Sequence, residues 1–110
     1  MSYNVLVTTN FKKEVKALIK KYQSLKTDIA NLVRELKKKP DIGVSLGRNC
    51  YKVRLAIYSK GRGKSGGARV ITLVRVINKE VHLLTIYDKG KRETISGKEI
   101  QKLIEQVDIS

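Results

Sequence analysis

The sequence predicts an α+β fold in which a small antiparallel β-sheet carries an N-terminal helix pair and a C-terminal helix. The periodicity of the apolar residues supports this prediction. They recur at helical spacing in the first third of the chain and at its end, and between these regions they alternate with polar residues as in strands. Because 110 residues is the usual size of one compact domain, we expect a single domain over residues 1–110.

The first third of the chain is predicted to form a short strand and two helices. Residues 3–9 alternate and are rich in β-branched side chains, which is typical of a strand. Asn10 is a candidate N-cap of the first helix, and Pro40, after three lysines, ends the second. Two apolar stripes at helical spacing, separated by a polar break, consist of Phe11, Val15, Leu18, Ile19 and Tyr22, then of Leu25, Ile29, Leu32, Val33 and Leu36.

The remainder is predicted to form at least three antiparallel strands and a helix. In residues 51–58 four apolar side chains alternate with Lys52, Arg54, Ala56 and Tyr58, so one face of this strand should be core and the other basic. Residues 69–77 form a nearly continuous apolar run, typical of a central strand, and residues 81–87 return antiparallel after a short turn. Residues 96–99 have the S-x-x-E form of a capping box before a final apolar stripe. We expect all helices on one face of the sheet, which leaves the other face open to a ligand.

The charge distribution predicts a polyanionic partner. The formal net charge is +14, and residues 42–79, the acid-free stretch, hold nine Lys or Arg residues without one Asp or Glu. Nucleic acid, an acidic protein and an anionic membrane surface all qualify as that partner, but no apolar run is long enough to cross a membrane. A single cysteine, Cys50, excludes an internal disulfide and fits a reducing cytoplasm, where we expect the protein to be located since no secretory signal is visible.

The glycine-rich loop of residues 60–67 is the first candidate site. Its Gly63-Lys64-Ser65 segment matches the end of a nucleotide-binding P-loop, but Tyr58 occupies the place of the first glycine and a strand follows instead of a helix. This pattern argues against nucleotide hydrolysis. The loop is either a soluble hairpin connection or a mobile basic loop that brings Lys64 to phosphate, and Arg69 just beyond it favours the second interpretation.

The chemistry of the candidate residues points to RNA. His82 and Cys50 stand alone and the acids are scattered, so we expect no metal and no cofactor. RNA carries its own nucleophile, the 2′-OH, and a cluster of cations can align it and stabilise the charge that develops on phosphorus. The candidate cations are Lys52, Arg54, Lys64, Arg69, Lys89, Lys91 and Arg92.

On these residues the chain resembles the RelE/HigB-like toxins of bacterial toxin–antitoxin pairs, within the RelE/ParE superfamily. Residues 50–55 (CYKVRL) look like the basic strand of the family, residues 61–70 (GRGKSGGARV) like the motif of the HigB-like branch, and residues 84–90 (LTIYDKG) like its L-x-x-Y-x-K segment. The order of the predicted elements agrees over nearly the whole chain. The resemblance implies a RelE-like fold and a ribonuclease that enters the ribosomal A site and cuts translated mRNA without a metal.

The resemblance also implies roles for individual residues. Lys52 and Arg54 would transfer protons and orient the phosphate, Arg69 would stabilise the transition state, and Arg92 would contact phosphate and protonate or shield the leaving group. Further RNA contacts are expected from Arg62, Lys64, Tyr87, Lys89, Lys91 and Lys98. The family's substrate-stacking tyrosine would lie near Lys98, where there is none. Either Tyr87 or a lysine replaces it, or the chain cuts RNA weakly.

The partners implied by the resemblance are mRNA, the ribosome and a cognate antitoxin that is acidic or contains a helix-turn-helix. Three alternatives to a ribonuclease remain. A module of the same fold could bind RNA or an antitoxin without cutting, a relative could poison gyrase, and the basic helices could lie on a membrane. The basic residues Lys52, Arg54 and Arg69 argue against gyrase, and the absence of a spare apolar helix face argues against the membrane.

Overall fold

The structure is a computed structural model that describes residues 2–60, 66–92 and 94–109. Five strands form one sheet in the order β1-β5-β4-β3-β2, with β1 parallel to β5 and every other pair antiparallel. The predicted α+β class is confirmed. In chain order the elements are β1 (Asn4–Val7), α1 (Thr9–Ile19), α2 (Leu25–Lys38), β2 (Val44–Gly47), β3 (Cys50–Leu55), a single 3-10 turn (Tyr58–Lys60), β4 (Ala68–Arg75), β5 (Glu80–Asp88) and α3 (Gly97–Ile109).

The helices cover both faces of the sheet, which corrects the expectation that one face would be open. The apolar stripes of α1 and α2 pack on the first face, against residues that include Val53, Leu55 and Val70. The stripe of α3 packs on the second face, and the cluster there includes Cys50, Ile71, Leu73, Leu84 and Ile100. The strands supply apolar residues to the second face as well, so α3 can bury its stripe there.

Strand β2 was not predicted. Its connection to β3 consists of Arg48 and Asn49, both with positive φ, at 57° and 63°. Two such residues in succession are typical of a tight hairpin turn, and this turn is usually signalled by Asn-Gly or Asp-Gly. Here an arginine occupies the first position, so the usual signal is absent. The four residues of β2 are also too few to show a clear alternation.

Two further sequence predictions need correction. Residues 69–77 were predicted as one strand, but β4 ends at Arg75, and Val76 and Ile77 lie in the turn to β5, 62% and 98% exposed. Asn10 was predicted as the N-cap of α1, but the cap is Thr8, whose side-chain oxygen accepts a hydrogen bond from the Phe11 N–H at 3.1 Å. The Ser96–Glu99 capping box is confirmed, because the Ser96 hydroxyl accepts from the Glu99 N–H at 3.1 Å and the Glu99 carboxylate accepts from the Ser96 N–H at 3.5 Å.

Beyond the end of β1, side chains from the first turns of α1 form hydrogen bonds with the edge of β5. The Asn10 amide donates to the Leu84 carbonyl at 3.0 Å. The Glu14 carboxylate accepts from the Thr85 hydroxyl at 2.7 Å and from the Ile86 N–H at 3.2 Å. Burial raises the pKa of Glu14, and these hydrogen bonds oppose that increase. A side chain of α1 therefore replaces a neighbouring strand along this part of the sheet.

Replacing Glu14 with Gln should make stability less sensitive to pH. Because the pKa of Glu14 is raised in the folded state, folding favours its protonated form, and its contribution to stability falls as pH rises through that pKa. Glutamine keeps an acceptor oxygen and does not ionise. In urea unfolding we expect Glu14→Gln to gain stability relative to the unmodified protein as the pH rises above about 4, the range in which an ordinary Glu ionises.

Glu14→Leu provides the matched comparison. It removes the acceptor, leaves the Ile86 N–H unsatisfied, and should cost about 1–3 kcal/mol. A stability difference between Glu14→Gln and the unmodified protein that does not change with pH would show that Glu14 remains ionised without penalty.

Gly67, just before β4, is predicted to tolerate no side chain. A Cβ there would lie 2.1 Å from the Leu55 carbonyl oxygen and 3.0 Å from the Ile57 nitrogen, both backbone atoms. Gly67→Ala should therefore lower the free energy of unfolding by about 1–3 kcal/mol in a thermal melt. Gly97→Ala is the control, because no atom lies within 4 Å of its Cβ position. Equal melting temperatures for the two variants would contradict the prediction.

Candidate functional site

Three strands place basic and aromatic side chains in a row across the second face of the sheet. Arg54 on β3 lies directly opposite Arg69 on β4, and Arg69 lies directly opposite Tyr87 on β5. Residues directly opposite one another in a sheet project from the same face, with their Cβ atoms roughly 5 Å apart. Like charges in this position repel and lower stability, but together they can bind one anion.

The two arginines differ in exposure. Arg69 is only 5% exposed, because β4 is the central strand, and its Nη1 donates to the Ala68 carbonyl at 3.1 Å. Arg54 is exposed on the neighbouring strand. Arg69 is therefore a donor held in place by its surroundings, whereas the guanidinium of Arg54 has more freedom to follow a ligand.

Lys52 extends the row along β3. It lies two residues before Arg54, on the same side of the strand and roughly 7 Å away along it, and it is half-buried opposite Ile71. The side chain stands between the arginine pair and the apolar part of this face that α3 covers. The structure therefore brings Lys52, Arg54 and Arg69 together on one face of the sheet.

Arg92 completes the row beyond Tyr87. Its guanidinium carbon lies 5.1 Å from the centre of the Tyr87 ring, its Nε donates to the Thr94 carbonyl at 3.0 Å, and its Nη2 lies 2.7 Å from the Glu99 carboxylate. The hydrogen bond between them raises the pKa of Arg92 and lowers that of Glu99. The sequence did not identify Glu99 as part of the site, because its capping-box position already explained it.

A buried carboxylate supports the turn that carries Arg92. The Tyr22 hydroxyl donates to Asp88 Oδ2 at 2.5 Å, and the Gly90 N–H donates to Asp88 Oδ1 at 2.9 Å. The N–H groups of Lys91 and Arg92 donate to the Asp88 carbonyl at 3.0 and 3.2 Å. The sequence did not predict this role of Asp88. The one local indication was the Asp-x-Gly pattern of residues 88–90, which is typical of a turn.

The other predicted RNA contacts are spread around the row. Lys89 is half-buried at the end of β5, and its N–H donates to the Gly67 carbonyl at 3.1 Å. Lys91 is exposed in the following turn, and Lys98 is exposed in the first turn of α3 next to Glu99. Arg62 and Lys64 lie outside the described residues. Tyr87, one of the proposed replacements for the tyrosine missing near Lys98, lies within the row.

The two residues considered for metal chemistry lie elsewhere. Cys50 is buried under α3, and burial raises the pKa of its thiol. His82 is a strand residue of β5, with its Nε2 3.3 Å from the Glu80 carboxylate. In the described ranges, no three His, Cys, Asp or Glu side chains are grouped so that they could hold a metal ion. The described helices also include none with the length and apolar character needed to cross a bilayer.

Comparisons with known proteins agree with this fold. The solved structures that resemble it include an arginine-to-alanine double mutant of the Escherichia coli toxin RelE in the free state, at a TM-score of 0.66 and 15% identity, covering 97% of this chain and 99% of that one. The isolated E. coli RelE toxin matches at a TM-score of 0.61 and 16% identity, covering 96% of this chain and 99% of that one. A chain of the toxin–antitoxin complex RelBE2 from Mycobacterium tuberculosis matches at a TM-score of 0.62 and 17% identity, covering 80% of this chain and 99% of that one.

At these identities the solved structures support the fold, and the family follows from the sequence model. No match was found among curated proteins. The family model described as the RelE toxin of the RelE/RelB toxin–antitoxin system matches residues 4–108, which is nearly the whole chain. The chain therefore belongs to the RelE toxin family.

Proposed function

We propose that this RelE-family toxin is an endoribonuclease that cuts mRNA in the ribosomal A site without a metal ion. The observation that carries the proposal is the arginine pair, Arg54 opposite Arg69, on the same sheet face as Lys52. Two guanidinium groups in register can bind the two non-bridging oxygens of one phosphate. Membership of a toxin family and the large positive charge support mRNA as the source of that phosphate.

The proposed reaction uses the 2′-OH of the RNA as nucleophile. The 2′ oxygen forms a bond to the adjacent phosphorus, the bond from phosphorus to the 5′ oxygen breaks, and the products carry a 2′,3′-cyclic phosphate and a 5′-OH. One proton leaves the 2′-OH and one is delivered to the 5′ oxygen. The protein must therefore stabilise negative charge on phosphorus and move two protons.

The positions of the cations suggest how these tasks are divided. Arg69, buried and held against the Ala68 carbonyl, suits charge stabilisation, because a donor fixed in advance needs no reorganisation during the reaction. Arg54, exposed opposite it, suits capture and orientation of the phosphate. Lys52, two residues along the same strand, is the proton-transfer residue in this scheme.

We also propose that an antitoxin neutralises the toxin by covering this basic face. Among the structural relatives, RelBE2 is described as a toxin–antitoxin complex. An antitoxin with an acidic segment would match the charge of the row from Lys52 to Arg92 and would exclude RNA. A helix-turn-helix in the same antitoxin would allow the pair to bind DNA.

Substituting either arginine of the pair should abolish cleavage. We expect Arg54→Ala and Arg69→Ala to lower the cleavage rate by about 100-fold or more, as removal of a charge-stabilising donor does in other enzymes. Primer extension on mRNA in programmed ribosomes measures the cleavage, and the product ends should carry a 5′-OH.

Lys26→Ala is the charge-matched control, because Lys26 is exposed on α2, on the opposite side of the sheet. Thermal melts of Arg69→Ala separate a catalytic loss from unfolding, since that side chain is buried. Absence of cleavage by the unmodified protein, or cleavage unaffected by Arg54→Ala, would refute the enzymatic proposal.

A non-catalytic RNA-binding or antitoxin-binding module is the second candidate, favoured by the lack of a tyrosine near Lys98. It predicts salt-sensitive RNA binding without strand scission at any protein excess. In both cases Arg54→Ala should reduce the slope of log K against log salt concentration by about 0.7, the value for one phosphate contact on single-stranded RNA. Filter binding at several salt concentrations measures the slope. An unchanged slope would remove Arg54 from the RNA-binding surface.

A further inference from the structure

Arg92 is held differently from the other arginines of the row. Its side chain makes three contacts within the described residues, with the Thr94 carbonyl, the Glu99 carboxylate and the ring of Tyr87. The first two engage its Nε and Nη2, which lie along one edge of the planar guanidinium group. The third places the guanidinium carbon above the face of the Tyr87 ring.

The engaged edge is one of the two edges of an arginine that bind phosphate well. Paired N–H groups along a guanidinium edge match two oxygens of a phosphate. In Arg92 a carbonyl and a carboxylate already accept from that edge, and Glu99 also balances the positive charge. At this edge a phosphate would have to displace a carboxylate at 2.7 Å, so Arg92 is poorly arranged for a two-pronged phosphate contact there.

The arrangement leaves part of the Arg92 side chain accessible to a ligand. The Arg92 side chain is 40% exposed, whereas Tyr87 beneath it is only 8% exposed. An aromatic ring buried under an arginine cannot itself stack on a base. The plane that this end of the row presents to a ligand is therefore that of Arg92, and planar guanidinium groups do stack on unpaired RNA bases.

We propose that Arg92 is a base-stacking residue, with Tyr87 as its support and Glu99 as its anchor. The ligand is a nucleobase adjoining the phosphate bound by Arg54 and Arg69. Tyr87 is the direct neighbour of Arg69, about 5 Å away across the sheet, so a base on the nucleotide held there can reach the Arg92 plane. Glu99 is a positioning residue in this scheme. The inference rests on the proposed function, because it requires RNA in this site.

Two substitutions of Arg92 distinguish stacking from a charge contact. Arg92→Lys keeps the positive charge and removes the plane, whereas Arg92→Trp keeps a plane and removes the charge. The probe is a short RNA with 2-aminopurine on either side of a phosphate that a 2′-O-methyl group protects from cleavage. Stacking quenches its fluorescence, which can be excited at wavelengths longer than those that tryptophan absorbs, so the tryptophan of the variant does not interfere.

We expect Arg92→Lys to lose the quenching and to weaken binding by about 5- to 150-fold, the range for one stacked base. Arg92→Trp should retain quenching and bind within about 3-fold of the unmodified protein. The same changes at Arg34, which is exposed on α2, are the matched controls. The inference is wrong if Arg92→Lys binds the RNA and quenches 2-aminopurine as the unmodified protein does. It is also wrong if a folded Arg92→Trp neither binds the RNA nor quenches 2-aminopurine.

Glu99→Gln tests the anchor without disturbing the helix start, since glutamine also suits a capping box. Release of Arg92 should reduce quenching and raise KM about 3- to 10-fold while kcat stays near its original value. Tighter RNA binding by Glu99→Gln would instead show that Glu99 masks a phosphate contact, and would overturn the inference. If RNA is cleaved but the quenching does not depend on Arg92, the stacking inference is refuted and the proposed ribonuclease is not. If quenching depends on Arg92 but no RNA is cleaved, the proposed ribonuclease is refuted and the stacking inference stands.

Discussion

Two arginines of neighbouring strands, Arg54 and Arg69, face each other on the same side of the sheet, and the rest of the structure accommodates this pair. Repulsion between them and the burial of Arg69 both act against folding. The opposing contribution comes from the other face, where β3 and β4 are covered by the apolar stripes of α1 and α2. Apolar packing under α3 on the remainder of the second face adds to this contribution, so the sheet can hold two cations in register.

The second face is divided between α3 and the site. The apolar side chains of Cys50, Leu73 and Leu84 lie under α3, whereas the cations lie beyond it toward the end of the sheet where β3 ends and β4 begins. Two arginines help to seat the helix, because Arg48 donates to the Gly97 carbonyl and the Gln101 side chain, and Arg92 binds Glu99. Part of the net charge therefore has a structural use, and the count of cations in the sequence overstates the surface available to RNA.

Much of the fold could be predicted because the apolar periods are strong. The period-two pattern placed Lys52 and Arg54 on one strand face, and the helical stripes located α1, α2 and α3. The sequence could not predict the register that sets Arg54 opposite Arg69, because register depends on the connection between the strands and on their packing. The sequence also could not predict the face on which α3 packs, because the pattern alone does not show that Cys50 and Leu73 belong to a second apolar surface. Strand β2 was missed because its turn lacks the usual glycine.

The position of the aromatic ring has the largest consequence for the site. A tyrosine near Lys98 would project from the first turn of α3, at the surface, whereas Tyr87 projects from β5 and is almost fully buried beside Arg69. A ring on a strand of the sheet lies beneath whatever covers that face, and here the covering group is the guanidinium of Arg92. The chain retains an aromatic group in the row, but the arginine lies between that ring and any ligand. With no tyrosine near Lys98, Arg92 is the exposed flat group that lies next to Tyr87 among the described residues of the row, and its ion pair with Glu99 offsets the charge that would otherwise draw it toward phosphate.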